Sequence, residues 1–165
     1  MCHGSECTLN FLDRGRRLKV RMKIFLETIL NEDHERIDSL FEQYLKNRKD
    51  NRQTAPKLFD LYRESLLKHM KCEEELIFPV LEQNPKERGA REVPDLLQEH
   101  ELIRECLARV LHLCQTGSDE LGAAERHLFE ELHEHNAREE MHVYPVLDKL
   151  FNRGEAASVT KRIGV

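Results

Sequence analysis

The 165-residue sequence contains no tryptophan, only seven glycines and five prolines, and no long apolar run. The lack of ~18 consecutive apolar residues argues against a transmembrane helix, and the polar N-terminus does not resemble an export signal. Leucine, glutamate, lysine and arginine dominate instead, and these residues favour helix over sheet. The composition therefore indicates a helical domain with no membrane partner.

Charge and cysteine content restrict the class of protein further. Charged residues make up 35% of the chain and the formal net charge is −5, which is not typical of a nucleic-acid-binding protein. The five cysteines are an odd number, so free thiols in a reducing compartment are a simpler interpretation than a disulfide scaffold. Cys2 and Cys7 match no well-defined metal or redox spacing. We expect a cytoplasmic protein with no nucleic-acid partner.

Apolar residues at spacings of three and four divide most of the chain into four long helices joined by short polar connections. Thr54 can cap the second helix, Pro79 should kink or end it nearby, and Pro94 should open the third. Such a chain folds most simply as an all-α, antiparallel up-down-up-down four-helix bundle. We assign residues 27–151 to the bundle, 1–26 to an N-terminal extension and 152–165 to a loose C-terminal tail.

The N-terminal extension carries six basic residues between positions 14 and 23. Apolar residues alternate with them, as in a strand, but Leu18, Met22 and Phe25 also fit helical spacing, and we predict a helix. The basic residues are interpreted as a solvated face. The functional alternative is that they form a docking surface for an acidic protein partner.

Two copies of a histidine–glutamate motif stand out in the helical part. His69 precedes Glu73 by four residues, and His135 precedes Glu139 by four residues. At about 100° per helical residue, each pair lies about 40° apart on one face of its helix. The chain also has nine histidines, which is an excess for an ordinary domain. An imidazole and a carboxylate one turn apart, twice over, indicate metal ligands.

An internal repeat connects these motifs to two further histidines. His34 and His100 stand 66 residues apart, as do the two motif histidines and the two motif glutamates. The bundle therefore consists of two similar helix hairpins, each with one lone histidine and one His-x3-Glu pair. Four imidazoles and two carboxylates at core positions would each cost free energy if buried without a partner, and a bound cation removes that cost.

The residue types restrict the metal without identifying it. Two carboxylates from facing helices can bridge two cations, with two imidazoles for each. Imidazole with carboxylate suits iron, manganese or zinc, and the thiolates of structural zinc sites are missing from this set. The predicted metal ligands are His34, His69, Glu73, His100, His135 and Glu139.

At these residues the chain resembles the hemerythrin-like (HHE cation-binding) family, over roughly residues 27–150. The shared pattern is a histidine in the first helix, His-x3-Glu before a hydrophobic-Pro segment in the second, a His-Glu pair in the third and a histidine–carboxylate pair in the fourth. The resemblance implies a non-haem centre of two iron ions, with or without an oxo bridge, and with manganese or zinc as alternatives. It also implies that one iron binds His34 and His69, the other binds His100 and His135, and Glu73 and Glu139 bridge them.

Two departures from the oxygen-carrying members of that family stand in the sequence. Those members have a second histidine in the third helix, where this chain has Arg104, and His-x4-Asp in the fourth helix, where this chain has His-x3-Glu. The two His-x3-Glu pairs are more similar to di-iron proteins that repair iron–sulfur centres after nitric oxide or oxidant stress. The N-terminal cysteine-containing domain of those repair proteins is not evident here.

Several residues near the predicted ligands have more than one possible role. Asp38 and His142 are candidates for additional ligands, although His142 fits a packing role better. Cys72 is interpreted as a small core residue, with a redox-responsive thiol as the alternative. The candidates for orienting the imidazoles are Glu35, Glu74, Glu101 and Glu140. The histidines predicted to be solvated are His112, His127 and His133.

We expect a protein that binds or responds to a small oxidant such as O2, NO or peroxide, as a sensor, a scavenger or an iron-handling protein. One alternative is an iron–sulfur repair or peroxide-consuming protein, so an enzymatic role is left open. Another is a regulatory bundle whose metal is structural and whose basic N-terminal segment contacts a protein partner. Free coordination positions distinguish these functions, because a structural site is closed.

Overall fold

The computed structural model describes residues 10–13, 16–19, 25–48 and 54–164. Seven α-helices and one π-helical segment account for most of these residues. The elements are β1 (Asn10–Asp13), β2 (Arg16–Lys19), α1 (Leu26–Arg48), α2 (Ala55–Cys72), a π-helical segment (Glu73–Ile77), α3 (Phe78–Glu82), α4 (Arg88–Thr116), α5 (Leu121–His142), α6 (Tyr144–Leu150) and α7 (Arg153–Ile163). None of the described helices has the length and apolar character needed to cross a membrane.

The long helices form two hairpins that pack together as a bundle. Helix α1 packs against α2, α4 packs against α5, and α2 packs against α4. Short helices α3 and α6 extend α2 and α5 beyond local breaks. The prediction of an all-α helical bundle is therefore confirmed.

Helix α4 begins earlier than predicted, at Arg88, and Pro94 lies inside it. The start of this helix contacts the end of α5 at Gly89. A Cβ atom at Gly89 would lie 3.0 Å from the carbonyl oxygen of His142 and 3.2 Å from Cα of Val143. Both distances are too short for an unadjusted side chain, so glycine permits the two helices to approach here.

The predicted helix in the N-terminal extension is wrong for residues 16–19. Strands β1 and β2 pair antiparallel, with Phe11 opposite Leu18 and Asp13 opposite Arg16. Alternation of apolar and basic residues has the period of a strand, and the partner strand lies upstream of the segment whose periodicity suggested a helix. Residues 14, 15 and 20–24 lie outside the described part of the chain.

The predicted loose C-terminal tail is also wrong, because residues 153–163 form α7. Asn152 caps this helix by accepting hydrogen bonds from the backbone N–H groups of Gly154 and Glu155, and the Glu155 side chain accepts from the Asn152 N–H. The buried side chains of α7 are Ala156, Val159 and Ile163. Their spacing of three and four makes one apolar stripe, which packs on α1 and α2. The domain boundaries at residues 26 and 151 stay predictions.

The buried apolar side chains of the described residues form two clusters. One contains Phe41, Phe59, Tyr62, Leu107 and Leu128, among others. The other contains residues from the opposite end of the bundle, where α3, α6 and α7 meet the long helices. On each long helix, the predicted metal ligands lie between the residues of these two clusters. The apolar clusters therefore enclose a polar layer in the middle of the bundle.

Candidate metal centre

The structure brings all six predicted ligands together in this polar layer. Their side chains come from five elements: His34 from α1, His69 from α2, Glu73 from the π-helical segment, His100 from α4, and His135 and Glu139 from α5. Each of the six is at most 4% exposed. They form two overlapping groups whose ligand atoms lie within 4.8 Å of one another, and both groups include Glu73 and Glu139.

The histidines meet in pairs through their Nε2 atoms. The Nε2 atoms of His34 and His69 are 3.0 Å apart, and those of His100 and His135 are 3.2 Å apart. The two oxygens of Glu73 lie between the pairs, with Oε1 3.3 Å from Nε2 of His69 and Oε2 3.4 Å from Nε2 of His100. Glu73 therefore spans the two halves of the site, as a bridging carboxylate does.

Glu139 occupies the equivalent position on the other hairpin. Its Oε2 atom lies 3.4 Å from Nε2 of His135 and 3.6 Å from Nε2 of His34. The site thus has an approximate two-fold arrangement that follows the repeat in the sequence. Each half consists of two imidazoles, and both carboxylates are shared.

A carboxylate also contacts the other ring nitrogen, Nδ1, of every one of these histidines. The distances are 3.0 Å from Glu140 to His34, 2.8 Å from Asp33 to His69, 2.7 Å from Glu74 to His100 and 2.9 Å from Glu99 to His135. An acceptor at Nδ1 fixes the ring orientation and leaves Nε2 free to bind a metal. This arrangement is typical of metal-ligating histidines.

Two of the four predicted orienting glutamates contact histidines, and two do not. Glu74 and Glu140 do so, whereas Glu35 is exposed and Glu101 is exposed and pairs with Arg104. Sequence reasoning missed the other two orienting residues, Asp33 and Glu99. The sequence did contain a signal for them, because Asp33 and Glu99 are acidic residues at matching positions of the 66-residue repeat.

Electrostatics in the layer favour a cation. Burial opposes the charged form of His69, but the Glu73 carboxylate and the hydrogen bond with Asp33 raise the pKa of His69 to about 10. Burial and the charge of Glu73 raise the pKa of Glu139 well above its ordinary value. Burial acts in the same direction on Glu73, yet His69 and His100 outweigh it and lower the pKa of Glu73. Without a metal, protons on His69 and Glu139 thus reduce the net negative charge of the layer. Bound cations would supply that positive charge instead.

The residues also fit a cation by their hydrogen bonding. Oε2 of Glu73 and Oε1 of Glu139 are buried and accept no hydrogen bond from any described residue. A buried carboxylate oxygen without a donor costs free energy, and a metal ion would satisfy both atoms. Four imidazoles with two carboxylates are a donor set for iron, manganese or zinc.

Tyr144 lies inside this site, and sequence reasoning missed it. Its hydroxyl oxygen is 2.7 Å from Oε1 of Glu73, 3.0 Å from Oε2 of Glu139, 3.0 Å from Nε2 of His34 and 3.3 Å from Nε2 of His69. Burial, followed by the charges of the two glutamates, raises the pKa of Tyr144 well above its ordinary value. The phenol therefore donates its proton to a carboxylate.

The repeat places Phe78 at the position that matches Tyr144. The Phe78 ring stacks on the imidazole of His100, with ring centroids 5.5 Å apart. Both aromatic residues stand directly before a proline, at Pro79 and Pro145. This difference between the halves could have been read from the sequence by comparing the two motifs position by position.

The chain is locally irregular where these aromatic residues enter the core. After α2 ends at Cys72, the π-helical segment carries Glu73, and α3 restarts at Phe78. Proline cannot donate a backbone hydrogen bond, which favours an irregular turn before it. The prediction that Pro79 would interrupt the helix nearby is confirmed. On the other hairpin the break is at Val143, just before Tyr144.

The other candidates lie outside the two groups of potential ligands. Asp38 is exposed, and His142 accepts a hydrogen bond from Arg88 at 2.9 Å. The Cys72 thiol is buried and faces the carbonyl of Val159, and burial raises its pKa to about 12, which disfavours the reactive thiolate. The side chains of His112, His127 and His133 are exposed, as predicted.

The fold and the site together define a helical-bundle protein with a buried set of histidine and glutamate side chains that could hold metal ions. The family model of the hemerythrin HHE cation-binding domain matches residues 26–147. The chain belongs to this family. No curated protein sequence and no solved structure matches the chain.

Proposed function

We propose that this chain binds two iron ions and that the resulting centre binds or responds to a small oxidant such as O2, NO or peroxide. The observation that carries the proposal is the pair of overlapping ligand groups that share Glu73 and Glu139. A di-iron centre supplies reversible ligand binding together with a change of oxidation state. The remaining roles belong to the side chains of the protein.

In this proposal each iron takes two imidazoles, and the glutamates hold the two ions together. His34 and His69 serve one position, and His100 and His135 serve the other. Two imidazoles and two shared carboxylates do not fill the coordination sphere of iron, so a small molecule can bind, whereas a structural zinc site is closed. The carboxylates at the Nδ1 atoms keep the imidazoles aligned.

The apolar clusters on both sides of the layer support binding of a small, weakly polar molecule. Phe78 and the buried residues around it exclude water from one side of the site. Exclusion of water strengthens electrostatic interactions and limits side reactions. Iron–sulfur repair and peroxide consumption use the same type of centre and are the alternative activities.

The proposal extends to cellular location and to a protein partner. Cys72, Cys106 and Cys114 are free, which supports a reducing, cytoplasmic environment. The basic segment at residues 14–23 is the proposed contact surface for an acidic protein partner, and its six basic residues support this role.

Metal analysis and visible spectroscopy test the proposed function. The protein is purified aerobically, its bound metal is measured, and spectra are recorded before and after addition of azide or dithionite. We expect two irons per chain and a charge-transfer band that changes with azide. Stoichiometric zinc with a featureless spectrum would instead indicate a regulatory bundle with a structural metal.

Variants of single residues provide the matched control for this experiment. His69→Ala and Glu139→Ala should each lose metal, because each removes a buried donor of the site. His112→Ala, at an exposed position of α4, should keep the full metal content. Equal metal content in all three variants would show that the ligands are misassigned.

A further inference from the structure

The two halves of the site share the glutamates but differ in the aromatic residue that closes each half. On the side of His34 and His69, the Tyr144 hydroxyl contacts both Nε2 atoms. On the other side, Phe78 presents only its ring to His100. One half therefore has an oxygen donor that the other half lacks.

We propose that the Tyr144 oxygen is a ligand of the cation held by His34 and His69, so that the two metal positions are chemically unequal. The position between His100 and His135 would then have one protein ligand fewer, and we propose that the small ligand binds there. This inference rests on the proposed function, because it assumes that the chain binds two cations.

The distances around the hydroxyl support coordination to one particular ion. Ligand atoms that lie about 2.1 Å from a metal are about 3 Å from each other when they occupy neighbouring positions around it. The Tyr144 oxygen lies 2.7–3.3 Å from one donor atom each of His34, His69, Glu73 and Glu139. It thus stands where a further ligand of that ion would stand.

The same hydroxyl has no described contact with His100 or His135. Its hydrogen-bond partners within the described residues are the two glutamates and the other pair of histidines. Because both halves share the two glutamates, the contacts of Tyr144 with them do not show which metal position the tyrosine would serve. The contacts with the histidines assign it to the His34–His69 position.

The carboxylates that contact the Nδ1 atoms of the histidines also differ between the two halves, because among the described residues three of them pair with an arginine and the fourth does not. Arg36 contacts Asp33, Arg104 contacts Glu74, and Arg138 contacts Glu99. Glu140 contacts Nδ1 of His34, and its side chain is 46% exposed. No arginine or lysine among the described residues pairs with Glu140. The position of the repeat that corresponds to Arg104 is occupied by Asp38.

The His34–His69 position is therefore surrounded by more negative charge than the other position. More negative charge and one additional oxygen donor both favour a cation. We expect this position to fill first when metal is limiting. When the phenol oxygen binds the ion, its proton is displaced and released to solvent.

A stepwise iron titration of the full-length protein tests this inference. Ferrous iron is added without oxygen to the metal-free chain, from zero to two equivalents, and each sample is then oxidised in air. A tyrosine bound to ferric iron gives a visible phenolate-to-iron band. We expect this band to reach full strength at the first equivalent, and the spectral response to azide to appear with the second.

Three variants identify the residue responsible. Tyr144→Phe should still fold and bind iron but lose the band, and affinity for the first equivalent should fall about tenfold or more. Adding Phe78→Tyr to that variant places a hydroxyl on the His100 side and should restore the band. Phe129→Tyr, at an exposed position of α5, should leave the spectrum of the wild-type protein unchanged.

The outcomes separate this inference from the proposed function. A protein with two irons and no phenolate band would overturn the inference alone. So would a band that grows evenly through both equivalents or that persists in Tyr144→Phe. A chain that binds no iron under these conditions would overturn the proposed function itself, and the inference with it.

Discussion

Oδ2 of Asp33 lies 2.8 Å from Nδ1 of His69, and both side chains are buried. Arg36 holds the other oxygen of the same carboxylate at 2.8 Å. The pairing of Glu99 with His135 and Arg138 repeats this arrangement on the second hairpin. The imidazoles of His69 and His135 are therefore held at Nδ1 by carboxylates that form ion pairs with partly exposed arginines.

Replacing Asp33 by asparagine should weaken metal binding. The substitution keeps the size of the side chain but removes the charge that makes the His69 ring a better donor. We expect affinity to fall by about 10–100-fold, measured by competition with a chelator of known affinity. The control is Glu35→Gln, an exposed acidic position on the same helix, which should leave affinity unchanged. Equal losses in both variants would indicate a general effect of charge.

Replacing Glu139 by glutamine should affect stability and metal binding in opposite directions. Glu139 is fully buried, and burial and the charge of Glu73 raise the pKa of Glu139 well above its ordinary value. Folding of the metal-free protein at neutral pH therefore requires proton uptake or a buried charge at Glu139, and both cost free energy. Glu139→Gln removes this cost, so the metal-free variant should gain about 1–3 kcal/mol in free energy of unfolding, while losing affinity for metal. Urea denaturation of metal-free samples measures the first effect.

The comparison variant for this experiment is Glu130→Gln, at an exposed position of the same helix. Its free energy of unfolding should stay within about 0.5 kcal/mol of the wild-type value. If the metal-free Glu139→Gln protein were less stable than the metal-free wild type, the hydrogen bond from Tyr144 to Glu139 would outweigh the cost of burying the Glu139 carboxyl group.

Helix α7 should contribute to the stability of the whole bundle. Val159 is fully buried and lies in the same cluster as Leu26 and Cys72. Val159→Ala should therefore lower the free energy of unfolding by about 1–3 kcal/mol, whereas Ser158→Ala, at the exposed neighbouring position, should change it by less than about 0.5 kcal/mol. Thermal unfolding followed by circular dichroism compares them. Unchanged stability in Val159→Ala would mean that α7 docks only weakly.

Much of the site could be predicted from the sequence because its donors follow helical periodicity. His69 and Glu73 must share a helix face wherever they are placed, and the repeat supplied His34 and His100 as their partners. The helical bundle followed from the same periodicity. By contrast, the hairpin of β1 and β2 depends on pairing between two short segments. The apolar spacing around β2 fits a helix as well as a strand, and it does not reveal the partner strand.

The C-terminal segment illustrates a different limit. Ala156, Val159 and Ile163 form only a short apolar stripe, too brief to predict a helix when the surface that covers it is unknown. Only the groove of α1 and α2, which the stripe contacts, makes this helix part of the core. Short helices are stable in proteins mainly through such packing.

The sequence by itself determined the helical bundle, its two-fold repeat and the six side chains that could hold metal ions, because spacing along a helix decides which side chains face the same way. The tertiary structure decided how the two halves differ. Tyr144 and Phe78 both precede a proline in matching motifs, but only the packed bundle places the Tyr144 hydroxyl against His34 and His69. Those contacts depend on the distances between different helices, which cannot be read from the spacing of residues along one helix.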